Sequence, residues 1–415
     1  MPMQGGGMEI KMDELRIGVI GLGCRGRDNL ETILGFDGVK VTAVCDVYED
    51  FCDRGVEKVV TEQNIAPFKT TDYREVLKRD DVDIVTVFTS WETHIKIAVD
   101  AMKAGKIVGL EVGGAASLDE CRELVNTQRE TGVKFMLLEN CCYGRTELLV
   151  RNIVRDGIFG DIVHCHGAYA HDLRQEVTCG KENRHYRLKH YLSRNCENYP
   201  THELGPIAKI LDINRGNRMT RLVSVSSKAM GAERYINDRA DSFVNRDLIG
   251  KKFKQGDIVN TLITCENGET ISLTLDTTLP RSYSREFTVR GTKGMYEENT
   301  NSIFLDGDKE GDSFKQYKEI FGNAEKFEDK YLPDYWKNIT ERQIEIGHGG
   351  MDYFVFKAFF DAVRENKPMS IDVYDAAAWM CITALSEYSI ANGNVPVDIP
   401  DFTDGEWKVR KRFDV

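Results

Sequence analysis

The chain is predicted to be an α/β protein. An N-terminal doubly wound parallel sheet comes first, then a C-terminal α/β domain with a large open, mainly antiparallel sheet. Three observations carry this. Leu15–Asp46 reads as strand, glycine-rich turn, helix, strand and acidic residue. From there to Asn140, short apolar runs alternate with helical stretches, as in parallel βαβ units. Beyond Arg221, short strands bounded by turn residues dominate. At 415 residues the chain exceeds one ordinary domain. The expected division is a flexible lead-in at 1–14, a nucleotide-binding domain at 15–141, and a substrate-binding and oligomerisation domain at 142–415. The C-terminal helices of the last are free to pack back on the first.

The opening strand, Leu15–Ile20, runs into Gly21-Leu22-Gly23-Cys24-Arg25-Gly26, a G-x-G-x-x-G turn in the context that gives it meaning. Gly21 permits the tight turn, Gly23 lets the backbone approach a pyrophosphate, and Gly26 allows close helix–sheet packing. The helix starting near Arg25, after Cys24, aims free N–H groups and the positive end of its dipole at phosphate. Val39–Cys45 is the second strand, and Asp46 behind it is placed to accept hydrogen bonds from an adenosine ribose. A carboxylate there repels a 2′-phosphate, so the expected cofactor is NAD rather than NADP.

Helices follow at Tyr48–Thr61 and Tyr73–Arg79, with a short strand at Phe68–Thr70 between them. Val82–Val87 is a strand of buried type, then Thr89–His94 leads into a helix ending at Ala104. Ile107–Leu110 delivers Glu111. Ser117–Thr131 opens with the S-x-x-E capping box, and Phe135–Leu138 delivers Glu139 and Asn140. Ligands of such sheets lie past the carboxyl ends of the strands. One crevice therefore collects the glycine turn, Asp46, Trp91, His94, Glu111, Glu139 and Asn140. Trp91 is as well suited to packing as to lining the cofactor, and Glu111 suits the nicotinamide ribose.

Past Cys142, Thr146–Arg155 is helical and Ile162–His171 extended, with Cys165, Gly167, Tyr169 and His171 on one face and His164 and His166 on the other. Arg184–Tyr199 is polar and loop-like, and a short helix, Leu204–Leu211, is entered just after His202. Ile258–Cys265 and Thr270–Leu275 flank Glu266-Asn267-Gly268-Glu269, a hairpin signal, and Glu286–Arg290 and Met295–Glu297 flank a second turn. Gly350–Arg364 and Asp375–Ile390 are expected to be long amphipathic helices.

Composition excludes several classes. A net charge of −12 argues against nucleic acid as a partner. No apolar run approaches the roughly 20 residues of a membrane span, and the Gly- and Met-rich start has no signal-peptide pattern. Eleven cysteines without C-x-x-C pairs suit free thiols in a reducing cytoplasm. His164, His166, His185, His190 and His348 lack metal-ligand spacing, so no metal is assigned.

These blocks resemble the Gfo/Idh/MocA family, whose dehydrogenases carry Glu-Lys-Pro after the fifth strand and an Asp-x-x-x-His pair. This chain has Glu111-Val112-Gly113 and Asn198-Tyr199-Pro200-Thr201-His202 instead. Both departures fit a branch of that family better, the NAD-dependent glycoside hydrolases of family 109, whose founding activity is α-N-acetylgalactosaminidase. The blocks that resemble it are Leu138–Tyr143, Gly167–Arg174, Tyr199–His202, Leu211–Arg218, Gly347–Tyr353 and Pro400–Gly405. One departure is Glu203, where the branch has glycine, which adds a charge near the substrate.

The resemblance implies NAD as a regenerated cofactor and a small-molecule glycoside as substrate, most simply a terminal N-acetylgalactosaminide. In this chemistry C3 of the sugar is transiently oxidised, the C2 proton is removed, the C1 substituent is eliminated, water adds, and the hydride returns. It implies Tyr169 as the C2 base, His202 as the proton shuttle at C3, and His171 as a group that lowers the Tyr169 pKa or binds a hydroxyl. Glu139, Tyr199, Asn198 and Arg174 become substrate-binding residues. A tyrosine with an ordinary pKa near 10 needs neighbouring positive charge to act as a base near pH 7. The alternatives are a sugar or inositol dehydrogenase that consumes NAD and a non-catalytic NAD-binding sensor. A homo-oligomer, dimer or tetramer, is expected through the C-terminal sheet.

Overall fold

The computed structural model describes residues 14–307 and 317–414, so most of the expected lead-in lies outside the described residues. Six strands form the first sheet: β1 (Leu15–Ile20), β2 (Val39–Cys45), β3 (Phe68–Thr70), β4 (Ile84–Val87), β5 (Ile107–Leu110) and β6 (Phe135–Leu137). Their order is β3-β2-β1-β4-β5-β6, and every pairing is parallel. The order reverses between β1 and β4, the switch point at which ligands of such sheets bind. The capping box forms as its sequence requires, with Ser117 and Glu120 satisfying each other's backbone N–H.

The second sheet has eight strands: β7 (Ile162–Ala170), β8 (Met219–Ser226), β9 (Ile258–Cys265), β10 (Thr270–Asp276), β11 (Thr288–Gly291), β12 (Gly294–Glu297), β13 (Ser302–Leu305) and β14 (Val397–Asp398). They run in the order β13-β12-β11-β7-β10-β9-β8-β14. Only β7 and β10 are parallel neighbours; the other pairings are antiparallel. Alternation sorts the faces. Cys165, Ile263, Ile271 and Val289 point inward and are buried, whereas His164 and His166 bond Thr270 and Ser272 on the outer face.

Three expectations need correction. The Arg184–Tyr199 stretch is not all loop, since Arg187–Ser193 is helical. The helix after it spans Thr201–Ile210, so His202 lies in its first turn rather than before it. The last long helix, Val373–Ala391, is not amphipathic: it packs between β8 and the Leu118–Thr131 helix, and both sides are buried. A helix used as mortar between two layers has no wet face to make polar. The other long helix, Met351–Arg364, lies on the first sheet, with Phe359 against Gly109 and Tyr353 stacked on Phe36.

Candidate functional site

The glycine turn is shaped by backbone contacts. Gly21 has φ +95°, and a Cβ on Gly26 would lie 2.1 Å from the Gly21 carbonyl oxygen. Any side chain at either position pushes the helix off the strand. A Cβ on Gly23 would meet nothing within 4 Å, so this glycine faces open space. The Cys24–Leu34 helix has no side-chain cap and no acidic residue in its first turn, which leaves its N-terminal N–H groups available to an anion. Asp46 braces the turn: its Oδ2 accepts the Leu22 N–H at 2.6 Å and its Oδ1 accepts the Tyr48 N–H at 2.9 Å. A dinucleotide pyrophosphate fits this cradle.

Arg25 turns its side chain away from the turn and ties Glu111 at the end of β5 to Asp352 in the Met351–Arg364 helix. Its Nε donates to Glu111 Oε2 at 3.0 Å, and its Nη1 and Nη2 donate to Asp352 at 2.6 and 2.9 Å. Asn29 also donates to Glu111, and Asn140 donates to Asp352 at 2.6 Å. Asp352 is buried, which alone raises its pKa, but Arg25 and His348 hold the carboxyl far below the usual carboxylate range. His94 is buried beneath the loop before its helix, with Nε2 2.5 Å from the Thr89 carbonyl oxygen; burial lowers its pKa to about 4, so it is neutral.

Next to this lies a box of rings. The Tyr169 and Tyr199 ring centroids are 4.6 Å apart, and His202 sits 4.8 Å from Tyr199 and 5.7 Å from Tyr169. Trp91 closes the side, 5.5 Å from Tyr199, 4.9 Å from Tyr186 and 5.3 Å from His190. A Cβ on Gly113 would lie 2.4 Å from the Trp91 ring, so this ring occupies the space past Glu111 where a larger residue would stand. His202 Nδ1 is 2.8 Å from Glu139 Oε1, and its Nε2 is 3.4 Å from the Tyr199 hydroxyl. Glu139 is fully buried. Burial raises its pKa, but contact with His202 outweighs this and the net shift is downward. A carboxylate behind one imidazole nitrogen leaves the other nitrogen to exchange protons with a ligand.

The cation facing Tyr169 is Arg187, a residue that the sequence reading passed over as part of a loop. Its guanidinium lies over Tyr199 at 4.9 Å, Trp91 at 5.2 Å and Tyr169 at 5.8 Å. Burial raises the Tyr169 pKa and Arg187 lowers it, with a net rise. Arg187 is buried and its Nη1 has no hydrogen-bond partner among the described residues. The available signal was weak: one arginine among many in a polar stretch, whose meaning depends on a helix that brings it over three rings.

The remaining expected residues lie around this box. His171 is half-buried, with its ring 6.3 Å from Tyr169 and 5.3 Å from Tyr283; burial lowers its pKa. Asn198 is buried and donates to Gln255, leaving Oδ1 unpartnered. Arg174 is gripped by Asp172 at 2.8 and 2.7 Å and lies over Tyr235, so its fork is engaged outside the ring box. Glu203 is buried against Gly167, and burial beside Glu197 holds its pKa well above the usual range. Atoms of Glu139, Cys141 and His202 come within 4.8 Å of one another. His202 is bonded to Glu139 and the Cys141 sulfur faces Arg285 at 3.2 Å, so a guanidinium stands where a metal ion would need a thiolate.

Comparison with known proteins adds the following. Residues 143–409 match the family model for the C-terminal domain of glycosyl hydrolase 109, and residues 15–138 match the oxidoreductase family model of the NAD-binding Rossmann fold. The α-N-acetylgalactosaminidase of Tannerella forsythia is 36% identical, over 95% of this chain and 87% of that protein. The enzyme of the same name from Shewanella oneidensis is 37% identical, over 97% and 88%. A glycosyl hydrolase family 109 protein of Stenotrophomonas maltophilia is 38% identical, over 96% and 91%. Among solved structures, levoglucosan dehydrogenase with NADH and levoglucosan superposes with a TM-score of 0.68 at 17% identity, over 93% of this chain and all of that one. Scyllo-inositol dehydrogenase from Lactobacillus casei gives 0.64 at 14%, over 93% and 99%. These last likenesses establish the fold.

Proposed function

The chain belongs to glycosyl hydrolase family 109 and is an NAD-dependent glycosidase; from that premise we propose that it cleaves a terminal N-acetylgalactosaminide, with the ring box as its active site. The observation that carries the assignment of roles is the pairing of two acid–base groups, each with its own tuning charge: His202 backed by Glu139, and Tyr169 faced by Arg187.

When bound, NAD would supply the hydride acceptor for C3 of the sugar and the hydride that restores it. His202 takes the C3 hydroxyl proton on Nε2, and Glu139 stabilises the resulting imidazolium from the Nδ1 side. A ketone at C3 acidifies the C2 proton, which Tyr169 removes, while Arg187 stabilises the phenolate. The C1 substituent departs, and water adds in its place. Tyr199 and Trp91 present ring faces to the sugar, and Asn198 has an oxygen free for a hydroxyl. Gly21, Gly23, Gly26 and the N–H groups of Cys24 and Arg25 hold the pyrophosphate, and Asp46 holds the adenosine ribose. Arg25, Glu111 and Asn140 act as a framework for the nicotinamide end. Val112 and Gly113 stand after Glu111 where the dehydrogenases carry lysine and proline, and the absence of that lysine supports hydrolysis over simple dehydrogenation.

The outer face of the second sheet carries exposed Leu262 and Val225. These support association of copies through that face, to be read from the solution mass of the wild type and Leu262→Glu. The eleven unpaired cysteines support a reducing, cytoplasmic setting.

The test is incubation with α- and β-linked nitrophenyl glycosides in D2O, following nitrophenol release and deuterium at C2 of the sugar. Release of nitrophenol from the N-acetylgalactosaminide with deuterium at C2 is expected. Cleavage without exchange at C2 would sink the mechanism, and net accumulation of NADH with a free sugar would turn the assignment to a dehydrogenase.

A further inference from the structure

Directly behind His202 lies a buried pair of acids that the reaction does not use. Glu197 is 0% exposed and Glu203 is 2% exposed. Glu197 Oε2 and both carboxyl oxygens of Glu203 find no hydrogen-bond donor among the described residues. The two carboxyl groups meet each other. Two carboxylates have no donor between them, so the contact is a hydrogen bond only if one carries a proton.

The surroundings supply no cation. The groups facing the pair are Glu139, itself an acid, with His202 on its far side, and Tyr199 and Cys196 along the chain. Arg194, two residues before Cys196, is turned to Glu387 at 2.6 Å. The Val373–Ala391 helix offers Ser386, whose Oγ accepts the Glu197 N–H at 2.8 Å. Strand β7 offers the bare backbone of Gly167, where a Cβ would lie 2.8 Å from Glu203 Cβ. No cation faces the pair among these groups. Two uncompensated buried carboxylates are costly, and such a pair keeps a proton instead. Burial holds both groups above the usual carboxylate range.

The pair brackets the segment that bears the active-site rings. Glu197 Oε1 accepts the Tyr199 N–H at 3.5 Å, and Glu203 follows His202 in the first turn of its helix. We propose that Glu197 and Glu203 share a proton across this segment, and that the carboxyl pair is a positioning device that holds Tyr199 and His202 against Glu139. The positioning role rests on the reading of His202 as the proton shuttle; the shared proton does not.

The sign of the pH effect follows. Unfolded carboxyls titrate near 4, so above about pH 4.5 the folded chain holds a proton that the unfolded chain has lost, and stability falls as pH rises until the pair gives it up. Once that proton leaves, two negative charges meet inside the segment. The experiment uses the holoenzyme as wild type, E197Q and E203Q. Infrared spectra report the carboxylic-acid C=O stretch, melting is followed from pH 5 to 9, and kcat is followed on nitrophenyl α-N-acetylgalactosaminide. In the wild type the acid band should be present at pH 7 and fade at higher pH. It should be weaker in each variant, and the melting temperature of E203Q should fall less with pH. One pH unit above the wild-type limb, kcat of E203Q relative to its own maximum should be about tenfold higher than that of the wild type. An acid band absent at pH 7, or a band and melting slope unchanged in both variants, overturns the shared proton. A shared proton with an unmoved kcat limb overturns the positioning role. The infrared and melting results decide the pair even if the glycoside is not cleaved.

Discussion

Tyr169 shows how a single residue's chemistry is set by two opposed terms. Burial disfavours the phenolate and Arg187 favours it, and the net result in the free chain is a tyrosine above its ordinary pKa. Removing the cation therefore raises that pKa further. In Arg187→Met the alkaline rise of kcat/KM should move to higher pH, with a loss at pH 7 of about tenfold for each unit of displacement. Tyr169→Phe should retain bound NAD while deuterium incorporation at C2 disappears. A Phe variant that still exchanges C2 would give the base role to another group. His202 offers a contrast, because its partner Glu139 is an anion rather than a cation and favours the protonated ring instead of a phenolate.

Among the elements, the turn between β1 and the Cys24–Leu34 helix is the least tolerant. Gly26→Ala places a methyl group 2.1 Å from a backbone oxygen that has no rotamer to escape into. The helix must shift, and the pyrophosphate cradle shifts with it. Equilibrium dialysis should show NAD affinity down by at least about tenfold, with the far-UV spectrum retained. At the adenosine end, the stretch before the Arg187–Ser193 helix reaches over to the first domain. Arg184 pairs with Asp50 at 2.7 Å and lies over the rings of Tyr48 at 4.5 Å and Phe51 at 5.2 Å. Both partners are exposed, so this clasp is worth little in stability. In Arg184→Ala, NAD release measured by rapid gel filtration should be faster by up to about fivefold. An unchanged release rate would show that the clasp does not retain the cofactor.

For the whole molecule, the Arg25–Glu111–Asp352 network joins the glycine turn, the end of β5 and the Met351–Arg364 helix at the site. Asp352 is buried, so Asp352→Ala takes from Arg25 one of its two carboxylate partners and should cost about 1–3 kcal/mol. The folded carboxyl titrates well below its unfolded value. Its contribution is therefore complete above about pH 4 and lost as pH falls below that, so the wild-type melting temperature should drop in acid more steeply than that of Asp352→Asn. An acid slope shared by both proteins would place the network's stabilisation elsewhere.

Across these scales, some features were legible in the chain and others were not. The glycine turn, Asp46 and the βαβ alternation are local patterns, in which strand period, helix period and turn residues lie within one stretch of sequence, and they settle the first sheet and its cofactor. The alternation along β7 likewise set Tyr169 apart from His164 and His166. Arg187 was not legible, because its meaning is a position over three rings contributed by separate elements. Nor was the role of Glu203: a lone glutamate in a helix reads as a charge, and only the dry contact with Glu197 makes it a proton-bearing partner. The same holds for the Val373–Ala391 helix, whose two apolar sides reflect two layers folded against it from distant parts of the chain. Sequence by itself determined what short-range geometry and residue chemistry fix: the nucleotide turn and the strand faces. Tertiary structure alone decided which charge faces which ring and which acids lose water, because desolvation and Coulomb energy depend on distances between residues remote in the chain.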